Sequence, residues 1–246
     1  MDKIKISAVS YLNTKPFIFG IRNSALFPSV TLTLDNPSDC AQKLMNGESD
    51  IGLVPSGVLK SLHTSKIIPG FCIGATGKVG SVLLLSEVPL NKIETILLDY
   101  QSKTSVKLVK IISADHWKIS PGFSEASPGY EHEINGSVAG VVIGDRALQL
   151  KHRFNYVYDL SLAWYEHTGL PFVFACWVSN GRADEEFISS FVNALAVGVQ
   201  SIDEMLQSES QITKDFPGAE NYLKNQVEYI LDNEKRKGLD LFLSMI

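Results

Sequence analysis

The sequence has few cysteines, no long apolar run and no leader-like segment. Its three cysteines, Cys40, Cys72 and Cys176, lie far apart and form no Cys-x-x-Cys pair. Such an odd, widely spaced set is typical of a reducing compartment rather than of a disulfide scaffold. The longest apolar stretches, such as residues 82–85, fall far below the roughly 20 residues of a membrane span. The first residues alternate charged and apolar side chains, unlike a signal peptide. We therefore expect a cytoplasmic protein with no membrane partner.

A surplus of positive charge is also missing. The chain has 22 lysines and arginines against 27 aspartates and glutamates, which gives a net charge of −5. Proteins that bind nucleic acids usually present a clustered basic face, so we predict no nucleic-acid partner. An acidic protein that binds a small anion must create its positive potential locally, inside a cleft.

The common signatures of nucleophilic, metal and nucleotide sites are absent as well. The sequence contains no Gly-x-Ser-x-Gly, His-Glu-x-x-His, Gly-x-Gly-x-x-Gly or Walker A pattern. Its five histidines share no spacing typical of metal ligands. His167 is placed near a predicted helix end, where a histidine commonly interacts with the helix dipole. We predict that the protein uses neither a metal nor a cofactor.

The sequence does contain a regular alternation of apolar strands and amphipathic helices. A first strand is predicted at Ile4–Val9, and Pro16 suits the first turn of the helix that follows. Asp159 is predicted to cap a helix that ends at Gly169. From residue 181 onward the chain is predicted to be helical, with helices over 184–206 and around 222–231. This order indicates an α/β fold with parallel-type sheets.

The length and the glycine distribution favour two lobes. A chain of 246 residues is long enough to form two lobes of roughly 100 residues each. Residues 74–80 contain three glycines and are suited to a hinge. With hinges near 75–80 and 171–181, residues 1–77 and 179–246 would form lobe I, and residues 78–178 lobe II. Ligands in such folds bind beyond the carboxyl ends of the strands, towards which helix N-termini point.

Two hydroxyl-rich turns stand at such positions. Ser10, Asn13 and Thr14 follow the first strand, where Asn13 adds a carboxamide; an ordinary capping box explains this turn equally well. The segment 102–105 places three hydroxyls and Lys103 at a predicted helix start. Capping needs only one hydroxyl, so we interpret this segment as a cradle for a carboxylate.

Two further residues are candidates on position alone. Ser81 opens a strand at the predicted hinge, where a lone serine is more often structural. Asp145 follows a buried strand and is most simply a helix cap, although it could also orient a hydroxyl group. The residues that we predict to bind substrate are Ser10, Tyr11, Ser102, Thr104, Ser105 and Asp145.

Six segments spread over nearly the whole chain share their pattern with one enzyme family. They are ISAVSYLNTKPFIFGI (6–21), DIGLVPSG (50–57), GKVGSVLLLS (77–86), SKTSVKL (102–108), VVIGDRAL (141–148) and DLSLAWYEHTGLPFVFACW (159–177). Through these segments the chain resembles the chorismate dehydratases of the futalosine route to menaquinone. The resemblance implies a two-lobed, type 2 periplasmic-binding-protein-like fold with a central cleft. It also implies that chorismate loses water to give 3-[(1-carboxyvinyl)oxy]benzoate.

The same resemblance implies roles for individual residues. Asn13 and Ser81 would be the catalytic pair that holds the enolpyruvyl carboxylate in the pose needed for proton removal. Thr104 and Ser105, with their helix N-terminus, would hold the ring carboxylate. The base would be the substrate's own side-chain carboxylate. Members commonly carry arginine where this chain has Lys103, and a lysine cannot form a bidentate fork, so contact by Lys103 is not implied.

Two alternatives remain open at this point. A related 1,4-dihydroxy-6-naphthoate synthase shares the fold, although SYLNTKP favours the dehydratase. A small-anion solute-binding protein without catalysis is the second alternative. The residues leave open whether the chain is a monomer or a homodimer.

Overall fold

The fold contains two β-sheets. The structure is a computed structural model that describes residues 3–63 and 65–246. The first sheet has the strand order β11-β4-β10-β3-β1-β2, and the second has the order β7-β6-β8-β5-β9. The first sheet consists of β1 (Ile4–Val9), β2 (Val30–Asp35), β3 (Ile51–Pro55), β4 (Lys66–Ala75), β10 (Phe172–Ser179) and β11 (Glu228–Ile230). The second consists of β5 (Val82–Ser86), β6 (Thr95–Leu98), β7 (Gly122–Glu125), β8 (Val138–Ile143) and β9 (Tyr156–Asp159).

Helices connect these strands and cover the sheets. They are α1 (Lys15–Arg22), α2 (Pro37–Met45), α3 (Lys103–Asp115), α4 (Gly144–Leu150), α5 (Leu160–Thr168), α6 (Glu185–Gln200), α7 (Ile202–Ser208), α8 (Gln211–Asp215), α9 (Ala219–Asn221) and α10 (Asn233–Ser244). In the part of the chain that the structure describes, no helix is both long and apolar enough to cross a bilayer.

The sheets are mixed rather than parallel throughout. Strand β1, which has its predicted bounds, runs parallel to β2 and β3. Strand β10 runs antiparallel to β3 and β4, and β5 runs antiparallel to β8 and β9. The chain leaves the first sheet after β4 and returns along β10, so these two crossing strands are antiparallel neighbours.

The membership of the two sheets can be compared with the predicted boundaries of the lobes. Sheet membership groups residues 4–75 with β10 and β11, and residues 82–159 with each other. The predicted boundary at 178 differs from this grouping, because it assigns most of β10 to the second lobe. The aromatic-rich strand β10 lies within the predicted second hinge, 171–181. The exact limits of the lobes stay a prediction.

The C-terminal region departs from the predicted arrangement of helices alone. The predicted helix over 184–206 is two helices, α6 and α7, separated at Ser201. The predicted helix around 222–231 is wrong: a π-helical turn over Tyr222–Gln226 leads into β11. Val227, Tyr229 and Leu231 are buried. That spacing of two follows the strand period, which a short apolar segment does not distinguish from a helix.

A cluster of aromatic rings fixes helix α1 against the first sheet. The ring of Phe17 meets those of Phe71, Trp177 and Tyr229 edge to face, with centroids 5.9, 5.8 and 5.2 Å away. Such arrangements are favoured by the ring quadrupoles. Because α1 directly follows the turn that contains Asn13, this packing holds that turn in place.

Candidate active site

A cavity lies between the two sheets, at the carboxyl ends of β1, β3 and β8. It encloses about 570 Å³ of space, including the part that is open to solvent. Apolar side chains such as Val9, Ile73 and Phe174 form much of its wall. Its polar lining residues are Tyr11, Asn13, Thr14, Ser81, Ser102, Thr104 and Ser105. The structure therefore brings both hydroxyl-rich turns and Ser81 together across one space.

Asn13 stands on a single turn of 3-10 helix, Leu12–Thr14, between β1 and α1. It is half-buried, and its Oδ1 accepts a hydrogen bond of 3.2 Å from the Thr14 hydroxyl. That bond occupies the carbonyl side of the carboxamide and leaves its N–H groups as donors. Ser10 lies outside the cavity wall: its side chain is exposed, and its backbone N–H donates to Asp35. The predicted contact by Ser10 has no support in this geometry.

Asp145 does not cap its own helix, contrary to the simplest interpretation of the sequence. Helix α4 has no side-chain cap. Asp145 Oδ1 instead accepts a hydrogen bond of 2.9 Å from the backbone N–H of Leu12, across the space between the sheets. Burial raises the pKa of this carboxyl, while the Leu12 N–H and Lys15 oppose the rise. Asp145 is not among the residues that line the cavity, so its role here is to hold the Asn13 turn.

Tyr11 forms a second link between the halves of the molecule. Gly144 has φ +61°, and an added Cβ there would lie 2.7 Å from the Tyr11 ring, so only glycine allows this approach. The Tyr11 hydroxyl donates to Gln101 Oε1, which also accepts from Arg146 Nη2 at 3.0 Å. Burial raises the pKa of Tyr11 well above its usual range, so the phenol keeps its proton at neutral pH.

Arg146 supports this link, although no pattern in the sequence marked it as a site residue. Its guanidinium forms ion pairs with the fully buried Asp99, at 2.6 Å, and with Glu131. It also lies over the ring of Tyr100, 5.3 Å from the centroid. Two carboxylates thus neutralise the arginine. Its role in this structure is to fix Gln101, and through it Tyr11, rather than to face the cavity.

The N-terminal turn of α3 forms part of the cavity wall. Ser102, which we predicted to bind substrate, caps the helix: its Oγ accepts from the Ser105 N–H at 2.9 Å. The Ser105 side chain is 2% exposed, and its hydroxyl makes no hydrogen bond within residues 3–63 and 65–246. Lys103 is exposed and does not line the cavity. The turn therefore offers a helix dipole and one unpaired, buried hydroxyl.

Thr104 lines the cavity as predicted, but its hydroxyl already has two partners within the protein. Its hydroxyl oxygen accepts from the Gly57 N–H at 3.0 Å, and the same hydroxyl donates to the Phe174 carbonyl at 3.2 Å. A hydroxyl has a single hydrogen, so Thr104 has none left for a carboxylate. A Cβ on Gly57 would lie 2.5 Å from the Lys103 carbonyl oxygen, which shows how closely these segments approach. The Thr104 side chain ties α3 to the first sheet instead of binding substrate.

Ser81 is held in place by the segment that precedes it. The buried carboxylate of Asp159 accepts hydrogen bonds from the N–H groups of Val79, at 3.0 Å, and Gly80, at 2.6 Å. Its other oxygen caps α5, as predicted, through Ser161 and Leu162. One carboxylate thus fixes both a helix start and the entry to β5.

Tyr222 is a site residue that the sequence did not identify. It is 4% exposed, and its hydroxyl donates to Ser81 Oγ at 2.8 Å. The two residues are 141 positions apart. A tyrosine in a short apolar segment is usually a core residue, so no local signal marked it.

The cavity wall has a distinctive electrostatic character. Among the described residues that form it, none is a lysine, arginine, histidine, aspartate or glutamate. A carboxylate in this space would interact with hydroxyl groups, a carboxamide and the N-terminus of a 13-residue helix. The arrangement suits an anion that brings its own charge into an otherwise uncharged space.

Comparison with known proteins places this site in a family. The family model for menaquinone biosynthesis matches residues 4–246. The chain belongs to the menaquinone biosynthesis family. A chorismate dehydratase of Thermus thermophilus is 28% identical over an alignment of 233 residues, and the match covers 84% of this chain and 83% of that protein.

Solved structures share the fold at low sequence identity. A protein of Archaeoglobus fulgidus superposes with a TM-score of 0.71 at 14% identity, covering 99% of this chain and 96% of that one. The alkanesulfonate-binding protein of Xanthomonas axonopodis superposes with a TM-score of 0.66 at 14% identity, over 100% of this chain and 93% of that protein. These matches confirm the two-lobed periplasmic-binding-protein-like fold that the sequence predicted.

Proposed function

We propose that this protein is a chorismate dehydratase, which converts chorismate to 3-[(1-carboxyvinyl)oxy]benzoate and water. Membership of the menaquinone biosynthesis family and the similarity to the Thermus thermophilus dehydratase support this activity. The observation that carries it is the cavity itself, in which Asn13 and Ser81 share an uncharged space with Ser105 and the start of α3.

The cavity offers hydrogen-bond donors for both carboxylates of chorismate. The N-terminus of α3 and the unpaired Ser105 hydroxyl suit the ring carboxylate, since each supplies hydrogen-bond donors without a counter-ion. The Asn13 carboxamide and the Ser81 hydroxyl suit the enolpyruvyl carboxylate. Fixing both ends would orient the C–H and C–O bonds that must break. The Thr104 hydroxyl takes no part, because its only hydrogen is used between α3 and the first sheet.

The reaction removes the hydrogen at ring carbon 3 and the hydroxyl at carbon 4. The electron pair of the C–H bond forms the new ring double bond, and the departing hydroxide takes a proton to become water. The product ring is aromatic, which provides a strong driving force. No lining residue of the described chain has a side chain that is basic at neutral pH. This supports the enolpyruvyl carboxylate of the substrate as the group that accepts the proton.

The proposal is tested by mixing purified protein with chorismate and following the ultraviolet spectrum and the product mass. We expect a catalytic amount of protein to convert all the chorismate to a benzoate whose mass is lower by one water. Recovery of unchanged chorismate would exclude the activity.

A second candidate is a binding protein for small anions, which the fold of the alkanesulfonate-binding protein favours. The same experiment separates the two functions. A binding protein would hold stoichiometric chorismate without loss of water, whereas the dehydratase would release product repeatedly. An enzyme resembling the dihydroxynaphthoate synthase would leave chorismate untouched. The cytoplasmic location and the monomeric or dimeric state stay predictions.

A further inference from the structure

The buried hydroxyl of Tyr222 lies between the two residues to which the resemblance assigns catalysis. It donates to Ser81 Oγ at 2.8 Å. Burial raises the pKa of this phenol well above its usual range, and hydrogen bonds with the Ser81 and Asn13 side chains oppose the rise. Tyr222 therefore contacts Ser81 directly and interacts with Asn13, while keeping its proton at neutral pH.

This contact determines what the Ser81 hydroxyl can do. A serine hydroxyl has one hydrogen to donate and two lone pairs to accept with. The Tyr222 O–H occupies one lone pair, and the Ser81 hydroxyl has no other side-chain or backbone partner in the described part of the chain. The hydrogen of Ser81 therefore remains for an acceptor in the cavity, and a substrate carboxylate is such an acceptor.

The local backbone gives Tyr222 this position. It begins a π-helical turn, Tyr222–Gln226, directly after α9. Such turns are rare and frequently occur at functional sites. Tyr222 also lines an outer groove of about 970 Å³, including open solvent, together with Leu12 and Gln226. Its side chain thus separates this groove from the inner cavity that Ser81 lines.

We propose that Tyr222 is a positioning residue, which orients the Ser81 hydroxyl so that it donates to the enolpyruvyl carboxylate of the substrate. The inference rests on the proposed function, because it assigns Tyr222 a part in that reaction. Tyr222 acts through Ser81 and does not itself exchange a proton with substrate.

A double-mutant cycle with Tyr222→Phe and Ser81→Ala tests this role. Tyr222→Phe removes the hydrogen bond to Ser81 and keeps the ring, so we expect kcat/KM to fall about 5- to 30-fold in the wild-type background. Most of the loss should be in kcat, because the carboxylate is held in its reactive pose less often. In the Ser81→Ala background the same change should alter kcat/KM less than about twofold, since the residue through which it acts is gone.

Tyr229→Phe provides a matched control. Tyr229 is also a buried tyrosine, but its hydroxyl has no hydrogen-bond partner among the residues that the structure describes. Its removal should leave kcat and KM unchanged, and thermal unfolding of all four variants should show that each is folded. Wild-type kinetics for Tyr222→Phe, or equal losses in both backgrounds, would overturn the role of Tyr222.

A different result would point to the proposed function instead. If the wild-type protein converts no chorismate, the proposed reaction is wrong. A crystal structure of Tyr222→Phe then decides whether Tyr222 fixes Ser81. A changed Ser81 rotamer supports the positioning role, and an unchanged rotamer contradicts it.

Discussion

Thr104 and Ser105 are adjacent, yet the structure gives them opposite roles. The Thr104 hydroxyl joins the Gly57 N–H to the Phe174 carbonyl. The buried Ser105 hydroxyl has no partner in the described residues and lines the cavity. We therefore predict that Thr104→Val lowers stability, whereas Ser105→Ala lowers activity.

The expected loss for Thr104→Val follows from the two groups that it leaves unpaired. Valine has nearly the same shape as threonine, so little packing changes. A buried backbone group without its partner costs about 1–3 kcal/mol. Thr104→Val leaves two such groups, the Gly57 N–H and the Phe174 carbonyl, so we expect the free energy of unfolding to decrease by about 3 kcal/mol. For a chain of this size, that corresponds to a melting temperature lower by roughly 6–12 °C.

The expected loss for Ser105→Ala concerns binding instead. A hydrogen bond to a charged group contributes about 1.5–3 kcal/mol, so kcat/KM for chorismate should fall about 10- to 100-fold. Stability should change by less than about 0.5 kcal/mol, because no hydrogen bond within the protein is lost.

Urea or thermal unfolding measures the first effect, and initial rates measure the second. Thr104→Ser keeps the hydroxyl and serves as the control, which should retain most of the stability. A Thr104→Val protein as stable as the wild type would refute the bridging role. A large loss of stability in Ser105→Ala, with unchanged kcat/KM, would refute the assignment of Ser105 to the substrate site.

Four other substitutions test the remaining parts of the site. Asn13→Ala should reduce kcat strongly without unfolding the protein, as rates and a melting curve would show, and near-normal rates would remove Asn13 from the site. Lys103→Ala should change KM less than about threefold, because this side chain is exposed outside the cavity; a larger rise in KM would place it on the substrate. His167→Ala should leave kcat unchanged, since His167 is also exposed, and a large loss in kcat at full stability would reveal an acid or base. Asp159→Asn should lower both the melting temperature and kcat/KM, because one carbonyl oxygen cannot replace two carboxylate oxygens that accept four N–H groups; unchanged values would exclude a positioning effect on Ser81.

Local patterns predicted the parts of the fold that depend on neighbouring residues. The bounds of β1 and the helix between Asp159 and Gly169 follow from residues within a few positions of each other. The glycine distribution favoured two lobes, and the family resemblance added their periplasmic-binding-protein-like fold and the catalytic roles of Asn13 and Ser81.

Long-range contacts decided the features that the sequence did not predict. Thr104 pairs with Gly57 over 47 positions, and Asp145 pairs with Leu12 over 133 positions. Tyr222 reaches Ser81 from a segment that was predicted to be an ordinary helix. Whether a hydroxyl faces the cavity or joins two segments depends on such partners, and no local spacing encodes them.

We propose that the cavity between the two sheets removes water from chorismate. Mass analysis of chorismate incubated with the wild-type protein and with Asn13→Ala, side by side, tests this activity. We expect complete conversion to 3-[(1-carboxyvinyl)oxy]benzoate by the wild type and only slow conversion by the folded variant. Intact chorismate in the wild-type reaction, or equal product in both, would contradict it.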